Sequence, residues 1–338
     1  MAEPHVHLDA ALLGARRPNR SGTLREGIAN WAALRANHRR GRRRARAAHR
    51  RDVRRDRRAA DPHPRRRRIA AGGRGAGGAR PGDGRARHRP AGGRLPAGGH
   101  PARARAARGL EAAVAAGCHA VGAIPHFERT TEEGWESVRL AFALAEQHGR
   151  MLDFHCDETD DPGSRNLEVV CAETADRGLA GSVIAGHCTA LHSYPNPYAA
   201  KVCELVAASG VQVVCNPLDN VVLQGRYDSY PRRRGLTRVD QLWAAGATVG
   251  VGHDSVQDPW YRLGTGNLLD AAYMLVHVGH LTGEDDMARV FDALIGANHG
   301  PWGGPPALSE GATGACLWWP SADPVDLLRD RPRPLVLR

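Results

Sequence analysis

From residue 110 onward the chain repeats one pattern: a short apolar run that closes on a polar residue, then an amphipathic stretch. The apolar runs are AVGAIPHF (120–127), MLDFHCDE (151–158), GSVIAGH (181–187), VQVVCNP (211–217) and ATVGVGHD (247–254). A helix end at LEAAVAAG (110–117) precedes them. The spacing predicts a helix over 131–149, capped by Thr131 with acids in its first turn. Further helices are expected near 166–178, 197–209, 238–245 and 267–281, with a long loop after 217. Short buried strands alternating with helices indicate a parallel α/β sheet or barrel, because parallel strands need crossover connections. At 338 residues the chain can hold one (β/α)8 barrel, which typically takes ~250 residues.

In such a barrel the strand C-termini meet on one face, where active sites lie. His155 and Glu158 close one predicted strand, His187 the next, Asn216 the next and Asp254 the last. At the start of the chain PHVHLD places His5 and His7 two residues apart, on one side of a short predicted strand. A His-x-His pair, a third His and an Asp form a donor set for Zn2+ or Fe2+. Glu158, three residues beyond His155, stands beside that set without joining it, where a carboxyl can carry protons. The competing reading of Glu158 is a solvated loop acid, because Asp157, Asp160 and Asp161 crowd the same loop. His126 reads as structural rather than as a ligand.

Residues 39–108 do not fit this pattern. They contain 25 Arg and 4 Asp but no aromatic residue, Lys, Glu, Cys or Met, and they follow neither hydrophobic period. They carry a net +21, leaving 22 basic and 32 acidic residues elsewhere, so the overall charge of +11 misrepresents an otherwise acidic protein. Such a stretch cannot bury enough apolar surface to offset its ordering entropy. It reads as a basic arm for nucleic acid, as a low-complexity linker, or as translation of the wrong frame in a GC-rich gene. Its place inside a catalytic domain favours the last, as do 46 Arg against the single Lys201. Seven dispersed cysteines without a C-x-x-C pair suggest free thiols in a reducing cytoplasm. Neither a signal peptide nor an apolar stretch of about 18 residues is evident, so a membrane location is not expected.

Several blocks together resemble the bacterial cytosine deaminase branch of the amidohydrolase superfamily. They are EPHVHLD (3–9), PNRSGTLREGIANW (18–31), VGAIPHFERT (121–130), DFHCDETDDPGSR (153–165), HCTALHSY (187–194), NPLDNVVLQGRYDSYPRRRGLTRV (216–239) and GHDSVQDPWYRLGTGN (252–267). The resemblance covers roughly 3–37 and 109–320. It implies a distorted (β/α)8 TIM barrel over 1–338 with one divalent metal, iron or zinc, held by His5, His7, His155 and Asp254. It assigns proton shuttling to Glu158, orientation of the attacking water to His187 with Asp254, and substrate contacts to Ser255 and Trp260. The expected reaction is hydrolysis of cytosine to uracil and ammonia by a water activated at the metal. Another small cyclic amidine, such as isoguanine, 5-methylcytosine or a triazine, is the alternative substrate. The non-enzymatic alternative is nucleic-acid binding through 39–108, which is not favoured. A homo-oligomer is left open.

Three features depart from the branch. Ser255 stands where members commonly carry a second Asp after Asp254. The small β-sandwich domain built from both chain ends is expected to be largely missing. The second and third strands, the latter followed by a substrate-binding glutamine, should fall within 39–108, where nothing matches. DNA encoding GRLPAG (93–98), read one base later, can encode Val-Ala-Phe-Pro-Gln, like the third strand. ADPHPR (60–65) at the same offset can give Arg-Thr-His, like the second. Two compensating frame changes near residues 38 and 105 are therefore expected, and the chain as written is expected to be inactive. Resequencing the coding DNA checks this. The one-base-later frame should be open and contain both strand motifs; stop codons in it would overturn the frame account.

Overall fold

The computed structural model describes residues 3–37, 109–298 and 316–337. The chain divides into two compact units, 1–28 with 89–338, and 29–88. Of the second unit only the helical residues 29–37 are described. The anomalous segment 39–108 lies outside the described residues.

The described helices and strands run, in chain order, α1 (24–37), α2 (109–115), β1 (Ala120–Val121), α3 (Thr131–His148), β2 (Met151–Cys156), α4 (Asn166–Asp176), β3 (Val183–His187) and α5 (Asn196–Ser209). They continue with β4 (Gln212–Cys215), α6 (Pro217–Leu223), α7 (Val239–Ala244), β5 (Val249–Val251), α8 (Leu268–Val278), α9 (Glu284–Asp292), β6 (Cys316–Trp318), α10 (Pro324–Asp330) and β7 (Leu335–Leu337). β1 to β5 form one parallel sheet in sequence order, the arc of a distorted barrel. The alternation of strand and helix expected from the sequence is therefore present.

Side-chain periodicity explains the layers. In α3, Val138, Ala141, Phe142 and Ala145 are buried at helical spacing. The Phe142 ring stacks 5.8 Å from Phe154 of β2. Along β2, Leu152, Phe154 and Cys156 are buried while Asp153 and His155 alternate to the opposite face, as a period of two requires. β3, β4 and β5 are buried at every residue. Cys118, Cys156, Cys171, Cys188, Cys203 and Cys215 are free thiols. No described helix is long and apolar enough to cross a membrane.

Three details depart from the sequence reading. The strand expected over 120–127 stops at Val121, and a 3-10 turn Pro125–Phe127 follows because Pro125 cannot extend a ladder. Thr130, not Thr131, caps α3: its extended backbone lets its hydroxyl accept from Glu133 N at 3.2 Å. The loop expected after 217 begins as α6, with Pro217 in its first turn. β6 and β7 form a separate antiparallel pair.

The segment expected as a strand at the N-terminus makes a single parallel bridge, Val6 to Asp254. Asp254 N donates to His5 O at 3.0 Å and His7 N to Asp254 O at 3.3 Å. The Glu3 carboxyl group, raised to about 8 by burial, reinforces this pairing by accepting from His5 N and His253 N. On β5, Asn298, delivered by a π-helical turn Ala293–Ala297, satisfies both Val251 backbone groups. Its Oδ1 accepts from Val251 N at 2.9 Å and its Nδ2 donates to Val251 O at 2.8 Å.

Asp157, beyond β2, is a buried hub. Its Oδ1 accepts from Ser164 Oγ, Asn166 N and Asn166 Nδ2, and its Oδ2 accepts from Leu167 N at 2.8 Å. It therefore caps α4 from nine residues upstream. Removing a cap and stranding buried donors each cost about 1–3 kcal/mol. Asp157→Ala is expected to destabilise by about 3 kcal/mol, a fall in melting temperature of roughly 4–6 °C for a chain of 338 residues. Calorimetry of wild type and variant checks it.

Candidate active site

The ends of β2, β3, β4 and β5 bring the predicted residues together. His155 lies on β2 and His187 ends β3; Asn216 follows β4, and Asp254 comes three residues after β5. Of the non-glycine residues with a left-handed backbone, Asp157, His187, Cys188 and Asp254 all lie at these strand ends, with φ between 48° and 71°. Such conformations are costly for non-glycine residues and persist where the surroundings enforce them. Here they turn the chain sharply where the polar side chains are presented.

His5 sits in space made by two glycines. A Cβ at Gly186 would stand 3.2 Å from His5 Cε1, and one at Gly252 would stand 3.2 Å from His5 Cβ. His7 and His155 face each other through their Nε2 atoms at 3.2 Å. Asp254 Oδ1 lies 3.1 Å from His7 Nε2 and 3.9 Å from His5 Nε2. Two donor groups result, His5 with His7 and His155, and His5 with His187 and Asp254; within each, the donor atoms lie within 4.8 Å of one another.

This set fits a divalent ion. Both ring nitrogens of His5 and Oδ1 of Asp254 are buried without a hydrogen-bond partner, a costly state that an ion would relieve. Burial and the neighbouring imidazoles hold His155 well below the usual histidine range. Burial takes His187 down to about 3 against the opposing charge of Asp254. Both are then neutral, the form that ligates. Burial works against ionisation of Asp254, yet His7, His5 and His187 together hold its carboxyl below the usual range. Three imidazoles and a carboxylate suit zinc or iron. The geometry also admits His187 to the donor set, a role the sequence did not suggest.

Glu158 is buried, not solvated, with 9% of its surface exposed. Its Oε1 is 3.7 Å from His187 Nδ1. Burial, then the charge of Asp254, raises its carboxyl to about 8. Trp260 places its ring 5.3 Å from that of His7. Asp258 anchors this wall: its Oδ1 accepts from Trp260 N and Tyr261 N. Ser255 is fully buried. A polar cavity of about 250 Å3, lined in part by His126, Arg129, Thr130, Thr159 and Ser164, opens between the loops after β1 and β2.

Three contributors escaped the sequence reading, Asn220, Asp153 and Asp219, while Asn216 is among the strand-end residues it picks out. Asn220 Nδ2 donates to His187 Nδ1 at 3.0 Å, and Asn216 Nδ2 lies 3.4 Å from the same ring. Asp153 Oδ1 stands 3.8 Å from His5 Nδ1, and Asp219 contacts Ser255. Asp153 could have been found, since it precedes His155 by two residues on the same strand face.

The Amidohydrolase family matches residues 22–296. The chain belongs to this family. It is a member of the cytosine-deaminase type. A 5-methylcytosine deaminase from Klebsiella pneumoniae, solved with 5-fluorocytosine, superposes with a TM-score of 0.79 at 32% identity, covering 100% of this chain and 83% of that one. The pterin deaminase of Rhizobium rhizogenes is 35% identical over 148 residues, 43% of this chain and 34% of its own length. The matched stretch of the chain thus spans about a third of that curated relative. The N-isopropylammelide isopropylaminohydrolase of Burkholderia multivorans shares the fold, with a TM-score of 0.59 at 23% identity over 69% of this chain and 56% of that one.

Metal loading tests the donor set. In protein expressed from the resequenced gene and stripped of metal, Zn2+ or Fe2+ should bind at one ion per chain. It should raise stability by about 2.7 kcal/mol at a free concentration 100 times Kd. His155→Ala should lose both the stoichiometry and the rise. Equal melting temperatures with and without metal in wild type would remove the site.

Proposed function

We propose that this amidohydrolase deaminates a cyclic amidine hydrolytically, with cytosine as the substrate and uracil and ammonia as the products. The observation that carries the reading is Glu158, a buried carboxyl raised to about 8 and placed 3.7 Å from His187 beside three further histidines and Asp254. His5, His7, His155 and Asp254 would hold one divalent ion, Zn2+ or Fe2+, which when bound lowers the pKa of a coordinated water towards ~7.

The chain's own groups divide the proton work. Asp254, ionised despite burial, accepts the first proton of the attacking water, with His187 alongside: His187 Nε2 is 3.9 Å from Asp254 Oδ2. With Asn220 Nδ2 donating to Nδ1, the His187 ring proton lies on Nε2, facing that carboxylate. Glu158, protonated at neutral pH, gives its proton to the ring nitrogen next to the amino-bearing carbon. The water oxygen bonds to that carbon. The second water proton restores Glu158, Asp254 passes the first to the amino group, the new C=O forms as the C–N bond breaks, and ammonia leaves with the bonding pair. Trp260 covers the ring of the base, and the buried site limits competing water.

One observation favours a second substrate. Ser255 is smaller than a carboxylate residue and uncharged, which leaves room beside a 5-substituent, and the structural relative is a 5-methylcytosine deaminase. A panel of cytosine, 5-methylcytosine, 5-fluorocytosine, isoguanine, pterin and an aminotriazine, followed by ammonia release, separates these substrates.

Glu158→Gln tests the central role in protein from the resequenced gene. Because Glu158 is not assigned as a ligand, metal content should stay at the wild-type level. Turnover should fall by about 10²–10⁴-fold, the usual contribution of a general acid–base group. Lost metal, or near-normal turnover, would show that the role is misassigned.

A further inference from the structure

Glu158 stands at the tip of a three-residue turn, closed by Thr159 N donating to Asp157 O at 2.9 Å. Among the described residues no hydrogen bond holds its carboxyl, and its Oε1 approaches His187 Nδ1 only to 3.7 Å. A carboxyl that gives and takes protons cannot be tied down by fixed bonds of its own. Its placement must come from the backbone beneath it.

That backbone is gripped from two other segments. β3 ends at His187, and the 3-10 turn Thr189–Ser193 follows. Thr189 is fully buried. Its Oγ1 lies 3.2 Å from Asp157 O and 3.1 Å from Thr159 O, so one hydroxyl proton spans the carbonyls on either side of Glu158. Ala190 N donates to the same Asp157 O at 2.9 Å. Farther along, Arg233 Nη1 donates to Asp160 O and to Ser193 Oγ, each at 2.7 Å. Asp228 steadies that guanidinium, its Oδ2 accepting from Arg233 Nε at 2.8 Å. The turn bearing Glu158 is thus joined to the segment bearing His187.

We infer that Thr189 and Arg233 are positioning residues that lock the Glu158 turn to the His187 segment and so set where the Glu158 carboxyl meets the substrate. This rests on the proton-carrying role of Glu158 in the deaminase reading above. Both residues act through Glu158 and take no part in the chemistry. Valine at position 189 would keep the branched shape but lack the proton that the two carbonyls share; serine would keep the proton. Without it the turn is free to shift, and a displacement of about 1 Å at a reacting group can cost about 10²-fold in rate.

The test uses full-length, metal-loaded protein from the resequenced gene, assayed by ammonia release from the fastest base of the substrate panel, with metal content measured alongside. Thr189→Val should lower kcat by about 10- to 100-fold, with KM within about twofold of wild type and metal content unchanged. Thr189→Ser should restore kcat to within about threefold of wild type, because the shared proton returns. In the Glu158→Gln background Thr189→Val should change the residual turnover by less than about twofold, since the group it positions is gone. Wild-type kcat in Thr189→Val overturns the proposal, as does a Thr189→Ser protein equally slow, or the full further loss in the Glu158→Gln background. Should Thr189→Val fail to fold, Arg233→Met carries the same test on a partly exposed side chain: kcat should fall with KM and metal retained, and an unchanged kcat or lost metal overturns the proposal. Each of these results leaves the deaminase reading standing. Near-normal turnover by Glu158→Gln, or none by wild type on any base of the panel, overturns that reading and this proposal together.

Discussion

The site depends on a short stretch of backbone pairing between residues some 250 positions apart in the chain. Val6 bridges to Asp254, Asp254 N donates to His5 O, and His7 N donates to Asp254 O. These contacts carry two imidazoles to a carboxylate that also meets His187. His7 also meets the Asp254 carboxylate through its Nε2 at 3.1 Å, whereas both ring nitrogens of His5 are buried without a hydrogen-bond partner. The backbone and the Glu3 carboxyl group fix the segment in place. The room they occupy comes from Gly186 and Gly252, where a larger residue would displace His5.

Given that scaffold, one buried region separates its carboxyls by function. Asp254, surrounded by imidazoles, is held ionised. Glu158, buried beside that same negative charge, is held protonated. Each environment strengthens the other: the charge on Asp254 raises Glu158, and the proton on Glu158 spares Asp254 a second negative neighbour. Such a separation of protonation states is what hydrolysis of an amidine requires, since one group must take a proton while another supplies one.

The sequence revealed the strand–helix alternation because each strand is an uninterrupted apolar run and each run closes on a polar residue. It also revealed His5, His7, His155, His187, Asp254 and Glu158, which the structure brings together. What it hid has identifiable causes. NPLDN looks like a loop because Asn, Pro and Asp are turn residues, yet Pro217 opens α6, which carries Asp219 and Asn220 to the site. Asp157 reads in the sequence only as one of the acids crowding the loop, whereas its donors come partly from residues nine and ten positions away. Long-range partners of this kind leave no periodic trace.

The Asn298 side chain has a consequence for the sheet as a whole. A strand edge is normally closed by another strand, whose backbone pairs with it whatever its side chains. At Val251 the partner is an amide at the end of a side chain, and it matches both backbone groups at once. Closure there is written in the identity of a single residue rather than in the polymer. A chain that loses this amide would strand the N–H and C=O of a fully buried residue without partners. Tolerance to mutation at this point of the sheet is therefore narrow, and the penalty would appear as lost stability.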